Sequence, residues 1–425
     1  MTAYWARHAW LPTGPAEDVL ITVADGRFSS VTAGVEPGTA TRLPGIALPG
    51  FANAHSHAFH RALRGRTHDG GGTFWTWREA MYTLAARLDP DTYHALARAA
   101  YAEMALAGVT SVGEFHYLHH APGGTRYGDP NAMAHALRAA AAEAGVRLTL
   151  LDTCYLRGGI GKELSETQLR FSDGTAEAWA ERVAALSSGD GFLVGAAIHS
   201  VRAVDVADLP VVGSFAGPVH AHVSEQPLEN EDCLAAHGRT PVGLLADAGV
   251  LGPRFTAVHA THLTPEDIAL LGGSGVCLCP TTEADLADGI GPARALADAG
   301  AALSLGSDQH AVVDPLLEAR ALEHGERLAT GRRGRFSPTE LLGALTNHAS
   351  IGWDAGRIET GAPADLVAVR LDTPRTAGCL PGQAVMAASA SDVDTVIRDG
   401  RPVVVDGNHV LGDIATLLTD AIGAL

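Results

Sequence analysis

Short apolar runs alternate with longer stretches whose apolar positions recur at helical spacing through the middle of the chain. The runs fall at 46–50, 110–116, 147–154, 192–198, 217–222, 255–259, 275–279 and 302–307. Ala- and Leu-rich segments at 91–107, 131–145, 175–187, 242–249 and 265–271 predict helices between most of them. Strands alternating with helices across short turns predict a parallel sheet, and eight such units predict a closed (β/α)8 TIM-like barrel of the α/β class. The two ends read differently. DVLITVADG near the start closes in an Asp25-Gly26 turn, and ADLVAVRLD, DVDTVIRDG and RPVVVDGN near the end are strand-like runs closed by turn residues. The expectation is a small β-sandwich domain built from 1–48 and 360–425, with the barrel at 49–359 as a continuous insertion.

The 425 residues suit one barrel of about 250 plus a smaller domain. A net charge of −18 with no basic stripe excludes nucleic acid and anionic membrane as partners. The densest basic cluster, GRRGR at 331–335, reads as a solvated loop. Five cysteines at irregular spacing are no disulfide framework, and no stretch reaches the roughly 18 apolar residues of a membrane span. A cytoplasmic protein is the expectation.

Histidines and acids concentrate where the predicted strands end, which is the reactive face of such a barrel. His55 and His57 stand two apart on extended backbone, so both rings face one way and can share a metal ion. His222 closes a strand and Glu225 follows it at the spacing of a ligand and a proton shuttle; His220 lies on the same face as His222 and leaves some ambiguity. Asp308 follows an apolar run, where a carboxylate needs a partner such as a metal or a helix N-terminus. Three imidazoles and one carboxylate (His55, His57, His222, Asp308) suit one divalent ion, zinc first, with iron or manganese open. Such an ion makes hydroxide available at neutral pH. Cys277 and Cys279 read as buried strand thiols, and His116, His119 and His120 as a loop bordering the pocket. Trp75 and Trp77 read as parts of a lid or a subunit contact.

HxH, then His-x-x-Glu, then His259 after the next strand, then Asp308, resembles the amidohydrolase superfamily in its single-metal deaminase branch. PGFANAHSHAFHRALRG, FWTWREAMY, SVGEFHYLHH and HSVRAV resemble the formimidoylglutamate deiminases of histidine degradation, and the likeness spans nearly the whole chain. The resemblance implies hydrolysis of N-formimidoyl-L-glutamate to N-formyl-L-glutamate and ammonia. It implies Glu225 as proton shuttle, aided by Asp308, and His259 as the group that steadies the developing oxyanion. It further implies Arg78, Tyr117, His199 and Arg202 as the substrate-binding set. His60 and Gln309 depart from the family's usual Gln and Ser, and are expected to border the pocket. Lys162, the sole lysine, lies before the fourth strand, so the bridging lysine of two-metal relatives is missing and one metal is expected. Arg78 and Arg202 are the natural holders of a dianionic substrate, since a guanidinium fork binds carboxylate in a bidentate way. A ring deaminase acting on a purine, pyrimidine or adenosine-type substrate is the alternative; few aromatics for stacking weigh against it. Homodimers are common in such barrels, so a homodimer is expected.

Overall fold

The computed structural model describes residues 2–68 and 72–425, with the Trp75 side chain outside the described set. Sixteen strands are described. Four come from the start of the chain: β1 (Thr2–Leu11), β2 (Gly14–Ala24), β3 (Arg27–Thr32) and β4 (Thr41–Pro49). Eight follow in the middle: β5 (Phe51–Ser56), β6 (Val109–His116), β7 (Arg147–Cys154), β8 (Phe192–Ile198), β9 (Val219–Val223), β10 (Phe255–His259), β11 (Gly275–Leu278) and β12 (Ala302–Leu305). The last four are β13 (Leu366–Val369), β14 (Val393–Arg398), β15 (Arg401–Val405) and β16 (Asn408–His409).

Strands β5 to β12 pair in strict chain order, all parallel. The seam between β12 and β5 is closed by the His55 carbonyl, which accepts from the amides of Ser307 (3.1 Å) and Asp308 (3.0 Å). A parallel bridge from Ser56 to Asp308 completes it. This is the (β/α)8 barrel, and its closing hydrogen bonds run through residues expected to carry the chemistry. β6 and β7 are buried at every position, as a sheet covered by helices requires. The other eight strands form one mixed sheet from both ends of the chain, in the order β16-β15-β14-β13-β4-β1-β2-β3. It has its own core around Val19, Ile21, Phe28, Leu366 and Ile397.

One strand assignment needs correction. Residues 46–50 do not form the first barrel strand; β4 ends at Pro49 in the terminal sheet, and β5 begins at Phe51. Gly50 is the crossing point between the two sheets, and a side chain there would come within 2.4 Å of Thr110 Oγ1. Polar Asn53, His55 and Ser56 hide the strand signal of β5 although all three are buried. The predicted helices are present as Pro90–Leu106, Ala132–Ala144, Ala176–Ala184, Pro241–Asp247 and Pro265–Leu270. Pro90–Leu106 starts in a capping box between Asp89 and Thr92 with proline in its first turn, and its alanines let Ala132–Ala144 pack closely against it. Helices Phe74–Ala85, Pro315–Thr330 and Ile414–Gly423 were not anticipated.

Arg147, at the start of β7, forms a buried ion pair with Asp365 and a half-buried one with Asp399, and so ties the barrel to the terminal sheet. Among the described residues no helix is long and apolar enough to cross a membrane.

Candidate active site

The carboxyl ends of the barrel strands bring four side chains to one point. His55 Nε2 lies 3.2 Å from His222 Nε2, and Asp308 Oδ1 lies 3.4 Å from the Nε2 atoms of both His55 and His57. All four residues are buried. Burial and neighbouring rings hold His55 and His222 well below the ordinary imidazole range, and burial takes His57 down to about 3. The rings are therefore neutral. The Nδ1 bond of His222 leaves a lone pair on its Nε2, aimed at His55 Nε2 3.2 Å away, while His55 Nδ1 is buried without a partner. A tetrahedron with metal–ligand bonds of about 2.0–2.1 Å has edges of roughly 3.3–3.4 Å. The observed spacings match those edges, so the residues present fit a small divalent ion.

The far sides of two rings are already committed. His57 Nδ1 donates to the Phe115 carbonyl at 2.9 Å, and His222 Nδ1 to the His199 carbonyl at 3.0 Å. Each bond fixes the tautomer that leaves Nε2 free as a ligand. Glu114 steadies the turn carrying His57, accepting from Ser56 Oγ (2.6 Å) and the Ala58 amide (2.7 Å). Strain gathers here too. Ser224, His259, Ala260, Asp308 and His310 all hold φ between 42° and 67°, at an order of 1–3 kcal/mol each for such residues. Backbone bonds compensate: the Ala260 amide reaches the Val223 carbonyl at 3.0 Å, and the Asp308 amide reaches His55.

Glu225 and His259 face the cluster. His259 Nε2 lies 3.7 Å from Glu225 Oε1 and 3.8 Å from Asp308 Oδ2, while its Nδ1 lies 3.5 Å from Glu283 Oε1. Burial disfavours charge on this ring, but the Glu225, Glu283 and Asp308 carboxylates outweigh it and push His259 well above its ordinary value. Arg202 bridges two acids, with Nη2 at 3.5 Å from Glu225 Oε2 and Nε at 3.8 Å from Glu229 Oε2.

A cavity of about 310 Å³ opens over this cluster. Its wall includes His60, Arg78, Tyr117, His199 and Arg202 beside His57, His222, Glu225, His259 and Asp308. His60 Nε2 lies 2.9 Å from the Tyr117 hydroxyl, and Arg78 Nε donates to the Tyr82 hydroxyl at 2.6 Å. Gln309 stands apart from this wall: it is buried, and its side-chain amide donates to Asp285 at 2.8 Å. His220 is also separate, with Nε2 on the Ser350 carbonyl at 2.9 Å. His116, His119 and His120 are buried behind the wall rather than bordering it; His119 reaches the Thr153 carbonyl and His120 reaches Asp173. Cys277 and Cys279 are buried free thiols, and burial raises Cys279 well above the ordinary thiol range, so it stays protonated beneath the cluster. Trp77 is a wall residue with its ring edge-on to His60.

The wall is more aromatic than the sequence led us to expect, with Tyr82, Tyr155 and Phe171 beside Trp77 and Tyr117. Gln168 joins Tyr82 (3.1 Å) and Tyr155 (2.8 Å). Sequence reasoning missed Tyr82, Tyr155, Glu229 and Glu283. Helical spacing offered a signal for two of them, since Tyr82 lies four residues after Arg78 and Glu229 four after Glu225.

The chain belongs to the amidohydrolase family, whose profile matches residues 46–403. Residues 1–44 match a second profile, described as the N-terminal domain of formimidoylglutamate deiminase HutF. The formimidoylglutamate deiminase of Pseudomonas aeruginosa is 38% identical over 435 residues, spanning 96% of each chain. The 8-oxoguanine deaminase of the same organism is 31% identical over 393 residues, covering 88% of this chain and 85% of its own. The crystal structure of an amidohydrolase from Brucella melitensis superposes with a TM-score of 0.90 at 33% identity, covering 100% of this chain and 99% of that one.

Proposed function

We propose that this chain hydrolyses the C–N bond of N-formimidoyl-L-glutamate, giving N-formyl-L-glutamate and ammonia. The observation that carries the reading is the pairing, in one cavity, of a three-imidazole, one-carboxylate cluster with the guanidinium groups of Arg78 and Arg202. The 38% relative acts by name on the same substrate.

His55, His57, His222 and Asp308 would hold one divalent ion, zinc by its fit to nitrogen and oxygen donors, which supplies Lewis acidity and hydroxide at neutral pH. Glu225 takes the proton of the attacking water as the new C–O bond forms at the formimidoyl carbon. His259, charged by its three carboxylate neighbours, donates to the negative charge that grows on the adduct. Glu225, with Asp308 beside His259, returns protons to the terminal nitrogen, which leaves as ammonia while the carbonyl forms. Arg202 and Arg78 hold the two carboxylates, and Tyr117, His199 and His60 shape the space between. Gln309 is left with a supporting role through Asp285.

Both the aromatic wall and the 31% identical 8-oxoguanine deaminase favour a second reading, a ring deaminase. A neutral heterocycle makes no use of two arginines in the cavity wall, so the first reading is preferred. Ammonia release measured side by side on N-formimidoyl-L-glutamate, 8-oxoguanine and adenosine separates them. Turnover of a heterocycle alone would overturn our reading. We further infer a cytoplasmic homodimer in which 1–48 and 360–425 form the small domain and 49–359 the barrel. Light scattering tests the dimer.

A further inference from the structure

The cavity wall carries cations that differ in what they already hold. Arg202 is engaged by Glu225 and Glu229 deep beside the cluster. Arg157, nearer the mouth, is tied to Asp205 at 2.8 Å. Lys162 is the sole lysine of the chain, it lines the same cavity, and it is exposed. Among the described residues it takes part in no ion pair.

Its placement is fixed by the backbone. The Lys162 amide donates to the Gly159 carbonyl at 2.9 Å and the Gly158 amide to the Lys162 carbonyl at 3.0 Å, which closes a tight turn. The turn is anchored to the barrel through the Leu156 and Arg157 amides, both on the Ala203 carbonyl. The first arm of the fold-back leaves little room for side chains. A side chain at Gly158 would lie 2.4 Å from the Glu163 carbonyl oxygen, and one at Gly159 would lie 3.2 Å from Lys162 Cδ. The lysine stem thus lies across Gly159, on an exposed residue of the cavity wall.

This inference rests on the proposed substrate. Its formimidoyl carbon must reach the cluster, and its α-carboxylate, one carbon from the internal amidine nitrogen, is the one assigned to Arg202. The side-chain carboxylate extends outward by three further carbons, toward the mouth. We propose that Lys162 joins Arg78 at this outer carboxylate and is a specificity-determining residue for dicarboxylate over monocarboxylate substrates. An ammonium on a flexible stem suits a carboxylate that must enter and leave past it. In a chain of charge −18 it also provides positive potential at the cavity mouth.

The test compares wild type, Lys162→Met and Lys162→Arg. Each is assayed for turnover of N-formimidoyl-L-glutamate and for competitive inhibition by N-formyl-L-glutamate and by N-formyl-L-norvaline, which lacks the outer carboxylate. Lys162→Met should raise KM, and the Ki of N-formyl-L-glutamate, about tenfold, leave kcat within twofold, and leave the Ki of N-formyl-L-norvaline unchanged. Lys162→Arg should restore the dicarboxylate values to within threefold. Unchanged dicarboxylate binding in Lys162→Met, or equal loss for both inhibitors, overturns the role of Lys162 alone. Absence of wild-type turnover overturns the substrate reading and this inference with it.

Discussion

Replacing Arg202 with alanine should separate binding from metal retention more cleanly than any other change in the wall. Arg202 is half-buried, 3.5 Å from Glu225 and 3.8 Å from Glu229, and touches none of the four cluster residues through an ion pair. Two effects follow from its removal. The substrate loses a charge-assisted bond, worth about 1.5–3 kcal/mol, or nearer 2–5 kcal/mol when the other charge is left buried. At 1.4 kcal/mol per factor of ten, a loss of about 2–4 kcal/mol raises KM by roughly 30- to 1000-fold. The second effect falls on Glu225, which then faces Glu229 without the intervening cation. Glu225 loses the contact that orients its carboxylate, so kcat should fall as well. Arg202→Lys keeps the charge without the fork and should fall between. The assay is steady-state ammonia release across pH, with metal content measured on the same samples. An unchanged KM with a full complement of metal would refute the assignment, and loss of metal would show that Arg202 supports the cluster instead.

Three further outcomes follow. Glu225→Gln should lower kcat by about 10²- to 10⁴-fold while metal content stays at the wild-type level, since general acid–base groups contribute on that scale; a smaller loss would assign the proton to another group. Asp308→Ala or His57→Ala should lose the ion, read by metal analysis, before any effect on fold is seen by circular dichroism. Glu318, buried and accepting from the Thr281 amide at 3.0 Å, is pushed up by burial from 4.5 to about 8. Its native state therefore binds more protons than the unfolded state between those values, and stability falls as pH rises from 4.5 toward 8. Glu318→Gln has no such loss, so its Tm relative to wild type should rise from pH 5 to pH 8.5; a constant difference would contradict the burial argument.

The barrel was legible because its strands are short apolar runs that point both faces into packed surroundings, as in β7 and β8. The first strand was misplaced because β5 is polar in sequence yet buried, and its burial depends on the seam with Asp308 that no local pattern reveals. His55, His57, His222 and Asp308 were visible as strand-end residues. Their neighbours Glu283, behind His259, and Tyr155, on the cavity wall, were not, because they come from other segments and carry no spacing signal to the cluster. Gln309 shows the converse: adjacency in sequence to Asp308 implied the pocket, and its side chain is instead held by Asp285.

The most direct measurement strips the protein of metal with a chelator and titrates zinc back while ammonia release from N-formimidoyl-L-glutamate is followed. The proposed site predicts no activity in the stripped protein and a linear recovery that breaks at one ion per chain. Activity without metal, or a break at two ions, would contradict a single ion shared by three imidazoles and one carboxylate.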